Sequence, residues 1–391
     1  MEWGAVFGAH PVRFKLCAML RFSLLPLLLY AYDIAALSSH AAITKSKVCA
    51  FDYEHSKKPL DLIQVHPLPR SILTNAQYPR ILCFVNTIST HLRRAQAVAS
   101  TWGQRCDKLI FFSNVSDSIF AKSLRFEVIG LKVNSDHDHL WGKHKASLTY
   151  VHNHFRHSYD WFYKADDDAY VIMENLKDYL RQPEIYSRWK TEPMQVGHRL
   201  RLEEDTTRYY IVERTLRDDF MRKNRRLIFN GGGPGYALNR SFLDNIVNSL
   251  PDFDCFSQKQ SEMIPDDVAV SFCMVWKNTS PVETRDYQGR ERWLVDSLNG
   301  AYHSYLYDPK NWIYEYHKTI GGVRTRSECC APDSVAFHYV TPSLMYHYER
   351  QLYWCRDENS ETIHDFNLQF NYSISERIAD VPFDEADRDE Q

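Results

Sequence analysis

Three adjacent carboxylates, Asp166, Asp167 and Asp168, close the apolar run Asp160-Trp-Phe-Tyr-Lys-Ala165. Like charges this close repel, and a bound dication is the natural compensation. In an extended chain alternate residues point the same way, so Asp166 and Asp168 share a side. Their hard oxygens suit Mn²⁺ or Mg²⁺, ions that bridge to a diphosphate. The bland alternative is a solvated acidic loop, because a D-x-D triplet arises often by chance. The run before the triplet favours the metal reading: it predicts a buried strand, ending where open α/β sheets place their ligands.

Two further carboxylates, Asp266 and Asp267, follow Pro265 and open an apolar, helix-like stretch to Trp276. Helix capping and the helix dipole explain acids there without any chemistry. A catalytic role requires one of them to lie near a sugar and take a proton from a hydroxyl. His338 sits in the β-like run Val335-Ala-Phe-His-Tyr339. It is a structural imidazole unless the fold carries it to the aspartates, where it would ligate a metal. The run Gly231-Gly-Gly-Pro-Gly235 is a tight turn or a place where backbone approaches a ligand. It lacks the Lys-Ser/Thr of a phosphate loop, and no G-x-G-x-x-G follows the first strand, so nothing favours a P-loop enzyme or a dehydrogenase.

The elements that must position these groups alternate. Short apolar runs predict strands at Arg80–Asn86, Lys108–Ser113, Phe126–Leu131 and Asp160–Ala165. Helical spacing covers Thr90–Trp102, Leu140–His157 and Ser241–Leu250. Such alternation implies an α/β fold with a largely parallel sheet and helices on both faces. The chain's 391 residues suffice for one large domain of this kind. The charged stretch 199–226 reads as a surface insertion. A net charge of −3 gives no electrostatic case for nucleic acid. Aromatics make up 14% of the residues, and flat rings suit sugar faces, although most must serve packing.

Residues 16–37 are mostly apolar and long enough to span a bilayer as a helix. Arg13, Lys15 and Arg21 predict a cytosolic tail at 1–15 and a lumenal remainder. A cleaved signal peptide is the competing reading, since the uncharged core Phe22–Tyr32 is short and Ala35 and Ala36 follow. A stem at 38–78, a single catalytic domain at 79–357 and an acidic C-terminal tail at 358–391 complete the division. Cys17 lies in the apolar segment and eight cysteines follow, an even number that fits a disulfide-bonded lumenal domain. Sequons at Asn114, Asn239, Asn278 and Asn371 permit the same compartment, with Asn239 equally readable as a helix cap.

Together these pieces resemble the β-1,3-glycosyltransferases of the Golgi, most closely the branch that extends O-linked N-acetylgalactosamine. The resemblance runs from about Arg80 to about Tyr353. It rests on Ile81-Leu-Cys-Phe-Val85, Ala99-Ser-Thr-Trp-Gly-Gln-Arg-Cys106, Asp160 to Val171, Gly232-Gly-Pro-Gly-Tyr236, Asp266-Asp267 with Cys273-Met274, and Cys329-Cys330 followed by Phe337-His-Tyr339. It implies a GT-A type, Rossmann-like mixed sheet, an inverting transfer, Mn²⁺ held by Asp166, Asp168 and His338, and UDP-galactose as donor. It assigns Asp267 as catalytic base with Asp266 its acidic neighbour. It places Thr87, Lys143 and Asp167 at the donor, and Trp312, Gly232, Gly233 and Tyr236 on the acceptor side. The implied partners are glycoproteins bearing O-linked N-acetylgalactosamine and the Golgi membrane, in a single-pass type II topology that admits a homodimer. Disulfides Cys83–Cys106 and Cys255–Cys273 are implied as well. Ser271 and Pro234 depart from the family's small residues, and the stretch Arg199–Arg226 diverges, which puts the acceptor in question rather than the donor chemistry. Three alternatives stand beside this reading. They are a fringe-like transferase with another UDP-sugar or acceptor, a chaperone-like pseudoenzyme, whose mark is loss of the aspartates kept here, and a lectin.

Overall fold

Strand β1 (Ile81–Asn86) is a continuous apolar run because both of its faces are covered. On one face the Phe84 ring stacks 6.2 Å from His144 of helix α2 (Leu140–Phe155). On the other, Cys83 is disulfide-bonded to Cys106, and both sulfurs lie 4.0 Å from that of Met173, the first residue of α3 (Met173–Tyr179). The computed structural model describes residues 59–66, 78–114, 126–133, 139–202, 214–223, 227–252, 264–303 and 310–356, with Lys122, Leu124, Glu204 and Cys255 besides.

Strands β2 (Lys108–Ser113), β3 (Glu127–Gly130) and β4 (Trp161–Asp166) join β1 in parallel, in the order β3-β2-β1-β4. Beyond β4 the sheet continues through β9 (Tyr236–Asn239) to β6 (Gln195–Gly197). β9 is antiparallel to both its neighbours, so it alone runs against the rest and the sheet is mixed. Helix α2 packs with α5 (Arg240–Ser249) and α6 (Asp266–Val275), while α1 (Leu92–Ser100) packs with α8 (Pro342–Glu349). This is a Rossmann-like α/β sheet with helices on both faces.

A second, three-stranded sheet has the order β10-β11-β5, with β5 (Tyr170–Val171), β10 (Trp293–Leu294) and β11 (Ala336–Phe337). β5 follows the three aspartates directly. β11 lies antiparallel to it with Phe337 opposite Tyr170, so the next residue, His338, reaches the aspartate turn. The Val340 N–H donates to the Asp168 carbonyl at 2.9 Å and locks that approach.

Two expected boundaries are corrected. The charged stretch from Arg199 begins with β7 (Arg199–Arg201), paired to β8 (Ile228–Asn230), and Leu200 is buried. Helix α4 (Arg214–Arg222) packs Phe220 against Phe272 and Trp276, at 5.6 and 6.0 Å between centroids. The described parts of the stretch, 199–202 and 214–223, are therefore knitted to the domain rather than merely inserted; single apolar residues among charges hide their inward face in the sequence. Likewise residues 59–66, assigned to the stem, belong to the folded unit. Leu60 and Ile63 are buried, and the Gln64 N–H donates to the Pro332 carbonyl at 2.8 Å.

The tail 1–15, the apolar segment 16–37, the C-terminal tail 358–391, Cys17 and Asn371 lie outside the described residues. Among the described residues no helix is long and apolar enough to cross a membrane. Asn239 resolves as the cap of α5: it is buried, and its Oδ1 accepts from the Phe242 N–H at 2.9 Å. That burial removes it as a glycan acceptor in the folded protein.

Candidate functional site

The carboxyl ends of β1 and β4, the glycine turn before β9 and the first turn of α6 converge at one end of the sheet. Asp166 ends β4, and the next two aspartates diverge as expected of alternating residues. Asp168 Oδ1 lies 3.3 Å from His338 Nε2. His338 Nδ1 faces the Val295 carbonyl at 3.3 Å, an orientation that aims Nε2 at the aspartates. One ligand atom from each of Asp166, Asp168 and His338 lies within 4.8 Å of the others, so the expected trio is assembled. Two carboxylates and an imidazole fit a hard or borderline divalent ion.

Burial works against the Asp168 carboxylate, but His338 and Arg94 outweigh it and hold its pKa below the usual range. Burial likewise opposes a charged His338, and Asp168 overcomes it and raises that pKa. Desolvation pushes Asp166 up, with Lys164 pulling the other way and Asp266 adding to the rise.

Gly233 makes room for His338. A Cβ there would stand 2.2 Å from the ring's Cε1 and Nδ1. Gly233→Ala is therefore expected to displace the imidazole and weaken divalent-ion affinity by about 10–100-fold, with the fold retained. Calorimetric Mn²⁺ titration checks this; unchanged affinity would remove His338 from the ligand set. Gly235 serves a different need, a left-handed φ of +87° that turns the chain into β9.

The second carboxylate pair sits on the far side of a lysine. Lys164, buried in β4, donates through Nζ to Asp166 Oδ1 at 2.8 Å and to the Gly232 carbonyl at 3.1 Å, and lies 3.3 Å from Asp266 Oδ2. Asp267 accepts from the Gly232 N–H at 2.8 Å and the Val268 N–H at 2.7 Å. The pair splits electrostatically. Desolvation would raise Asp266, but Lys164 and His144 hold it low and ionised. Burial and the neighbouring Asp266 push Asp267 up to about 6. Burial and charge thus drive the pKa values of the two adjacent carboxyls apart.

Thr87, Lys143 and Asp167, expected at the donor, are buried beside the aspartate turn and bonded among themselves. Thr87 Oγ1 donates to Asp167 Oδ2 at 2.7 Å, His91 Nδ1 lies 3.0 Å from the same oxygen, and Lys143 Nζ donates to the Thr87 carbonyl. They brace the turn from behind. Burial lowers the Lys143 pKa to about 8, against the pull of Asp167 and Asp166. Tyr236, expected on the acceptor side, is wholly buried and bonded at 2.9 Å to His144 Nε2. Gly232 is buried against Lys164 and Asp267 and acts through its backbone. Trp312 is 47% exposed at the start of α7 (Trp312–His317), packed edge-on against Tyr316, which in turn meets Phe229 of β8. A cavity of about 700 Å³ lies at the opposite end of β4, beside Asp160 and Arg240, away from these groups.

Sequence reasoning missed Lys164. A lone lysine inside an apolar strand is seldom buried unless paired, and three acids follow it. That signal was available.

The carboxyl ends of the parallel strands thus carry a metal-competent centre beside a raised carboxyl, on an α/β scaffold. The Fringe-like family profile matches residues 78–286, more than half of the chain. The chain belongs to the Fringe-like family of glycosyltransferases. It is 26% identical over 307 residues to glycoprotein-N-acetylgalactosamine 3-beta-galactosyltransferase 1 of Xenopus laevis, covering 78% of this chain and 72% of that protein. Two solved structures of the galactosyltransferase LgtC are more distant. One, in complex with donor and acceptor sugar analogues, is 11% identical at a TM-score of 0.38; the other, an active-site mutant, is 12% identical at 0.40. Each match spans 79% of this chain and 100% of the other. The disulfides Cys83–Cys106 and Cys255–Cys273 are both formed, and Cys329 is bonded to its neighbour Cys330.

Proposed function

We propose that this chain is an inverting, divalent-metal-dependent galactosyltransferase. It moves galactose from UDP-galactose to the 3-hydroxyl of N-acetylgalactosamine linked to Ser or Thr of glycoproteins. The observation that carries the reading is the bridge at Lys164, which ties the Asp166–Asp168–His338 cluster to the Asp266–Asp267 pair across a few ångströms. The name of the Xenopus laevis relative supports the donor and acceptor classes.

Asp166, Asp168 and His338 would hold a Mn²⁺-type ion, which supplies positive charge against the diphosphate of the departing UDP. Asp267 accepts the proton of the attacking acceptor hydroxyl. That oxygen approaches the anomeric carbon from the face opposite the leaving diphosphate, so one displacement inverts the centre and no covalent enzyme intermediate forms. Burial, and then the charge of Asp266 held ionised by Lys164, keep Asp267 basic. The Gly232 and Val268 N–H groups fix the Asp267 carboxylate in place. The exposed Trp312 ring offers an apolar platform for the acceptor sugar. The protein works in the Golgi lumen, anchored through residues 16–37.

Asp267 acts deprotonated, so kcat/KM is expected to fall about tenfold per pH unit below about 6 and to level off above it. The same group moves stability the other way. Its folded pKa of about 6 exceeds the ordinary 3.8, so the folded state holds the proton more tightly. Its burial therefore weakens the fold as pH rises through that window. A pH profile with no acid limb near 6 would argue against Asp267.

The deciding experiment is a donor screen with the purified protein, an N-acetylgalactosamine-Ser/Thr peptide and Mn²⁺. Transfer from UDP-galactose that chelation abolishes supports the proposal. Transfer from another UDP-sugar favours a fringe-like specificity, to which the Pro265-Asp266-Asp267 segment lends local support. No transfer from any donor favours a folding partner on the same scaffold.

A further inference from the structure

His198, Glu291 and His317 take no part in the proposed reaction, yet they converge. His198 directly follows β6, Glu291 precedes β10, and His317 closes α7. His198 Nδ1 is bonded to the Trp293 carbonyl and His317 Nδ1 to the Ile313 carbonyl, the latter at 2.6 Å. A carbonyl only accepts, so each Nδ1 carries the hydrogen and each Nε2 keeps its lone pair. Those two Nε2 atoms face each other at 2.7 Å. Two lone pairs do not share that distance without something positive between them. Glu291 adds a carboxyl group, with Oε1 3.9 Å from His317 Nε2 and Oε2 3.6 Å from His198 Nδ1. One ligand atom from each of the three lies within 4.8 Å of the others, and both imidazoles are 2% exposed.

We propose that His198, His317 and Glu291 form a second metal site, taking a zinc-class ion. Two imidazoles and one carboxylate suit zinc, unlike the oxygen-rich aspartate cluster, which suits Mn²⁺. Nδ1 hydrogens held on backbone carbonyls are the usual outer support of metal-ligating histidines. A shared proton is the competing occupant. The two differ in the nitrogen separation they require, since a proton holds the rings at hydrogen-bond distance and a metal ion holds them further apart. Zinc–nitrogen bonds of about 2.0–2.1 Å in tetrahedral array place two nitrogens a little over 3 Å apart, so the rings separate by roughly half an ångström on binding. The Arg285 guanidinium lies 4.0 Å from Glu291 Oε1 and opposes a cation, but its hydrogen bonds go to Glu283, at 2.8 and 3.0 Å. The site clamps α7, and with it Trp312, to the end of β6. It also clamps both to the segment where Glu291 bridges to Cys330.

The test uses full-length protein carrying Asp166→Asn and Asp168→Asn, which removes the aspartate cluster. It is equilibrated with Zn²⁺, desalted and assayed for metal by mass spectrometry. Roughly one zinc per chain is expected to remain, and a further His317→Gln to reduce it at least tenfold. Tetrahedral Co²⁺ absorption in the first protein and its loss in the second would support the same assignment. Should His317→Gln fail to fold, Glu291→Gln, which keeps both imidazoles, is expected to weaken zinc binding at least tenfold. Zinc content indifferent to His198, His317 and Glu291 overturns the proposal. So does a zinc-free protein showing an imidazolium NMR signal at pH 7, which would make the occupant a proton.

Discussion

Asp267→Asn is expected to lower kcat by about 10²–10⁴-fold while UDP and Mn²⁺ still bind, because it removes a proton acceptor and leaves the ligand cluster intact. Turnover and calorimetric UDP titration check the two halves separately. The substitution carries a structural cost that must be told apart from the chemical one. Both Asp267 oxygens accept backbone hydrogens, from Gly232 and from Val268. An amide must turn its NH₂ toward one of these donors, at a cost of about 1–3 kcal/mol. That cost reads out as a lowered Tm and leaves saturating UDP binding unaffected. Turnover preserved in the variant would take Asp267 out of the base role.

Lys164→Met is expected to destabilise the fold by about 3–5 kcal/mol, because removing one member of a buried ionic group strands the others. Lys164 is 1% exposed and faces Asp166, Asp266 and the Gly232 carbonyl. Methionine nearly fills the volume but leaves two carboxylates without their cation. Urea unfolding of the metal-free protein measures the effect. Adding Asp266→Asn should recover part of the loss, since it deletes one stranded charge. Stability unchanged by Lys164→Met would mean that water, and not the lysine, solvates these acids.

What the sequence made legible follows from burial. β1, β2 and β4 were readable to within a residue or so because strands covered on both faces are continuous apolar runs. Helix α6 was readable from Pro265 and its two acids. The reversed strand β9 was not, because Tyr236-Ala-Leu-Asn239 is short and follows a glycine run that reads only as a turn. The alternation in Arg199-Leu-Arg201 was masked by its charge. At the site, the resemblance grouped Asp166, Asp168 and His338, and the fold does bring the three together. Residue type alone could not group them, since what joins His338 to Asp168 is a two-residue strand pairing. The contacts of Thr87, Lys143 and Asp167 with one another are visible only in the packing. The His198–His317 contact joins residues 119 positions apart and leaves no local trace.

The pairing of β5 with β11 also orders events in time. It joins residues 170–171 to 336–337, so the acidic turn is synthesised long before the imidazole that completes it. Such a pairing closes a long loop and carries that loop's entropy cost. A chain interrupted near residue 330 would carry Asp166 and Asp168 and still lack His338, the third member of the trio. On the proposed metal assignment, divalent-ion retention would therefore report whether β5 and β11 have paired, before any sugar is transferred.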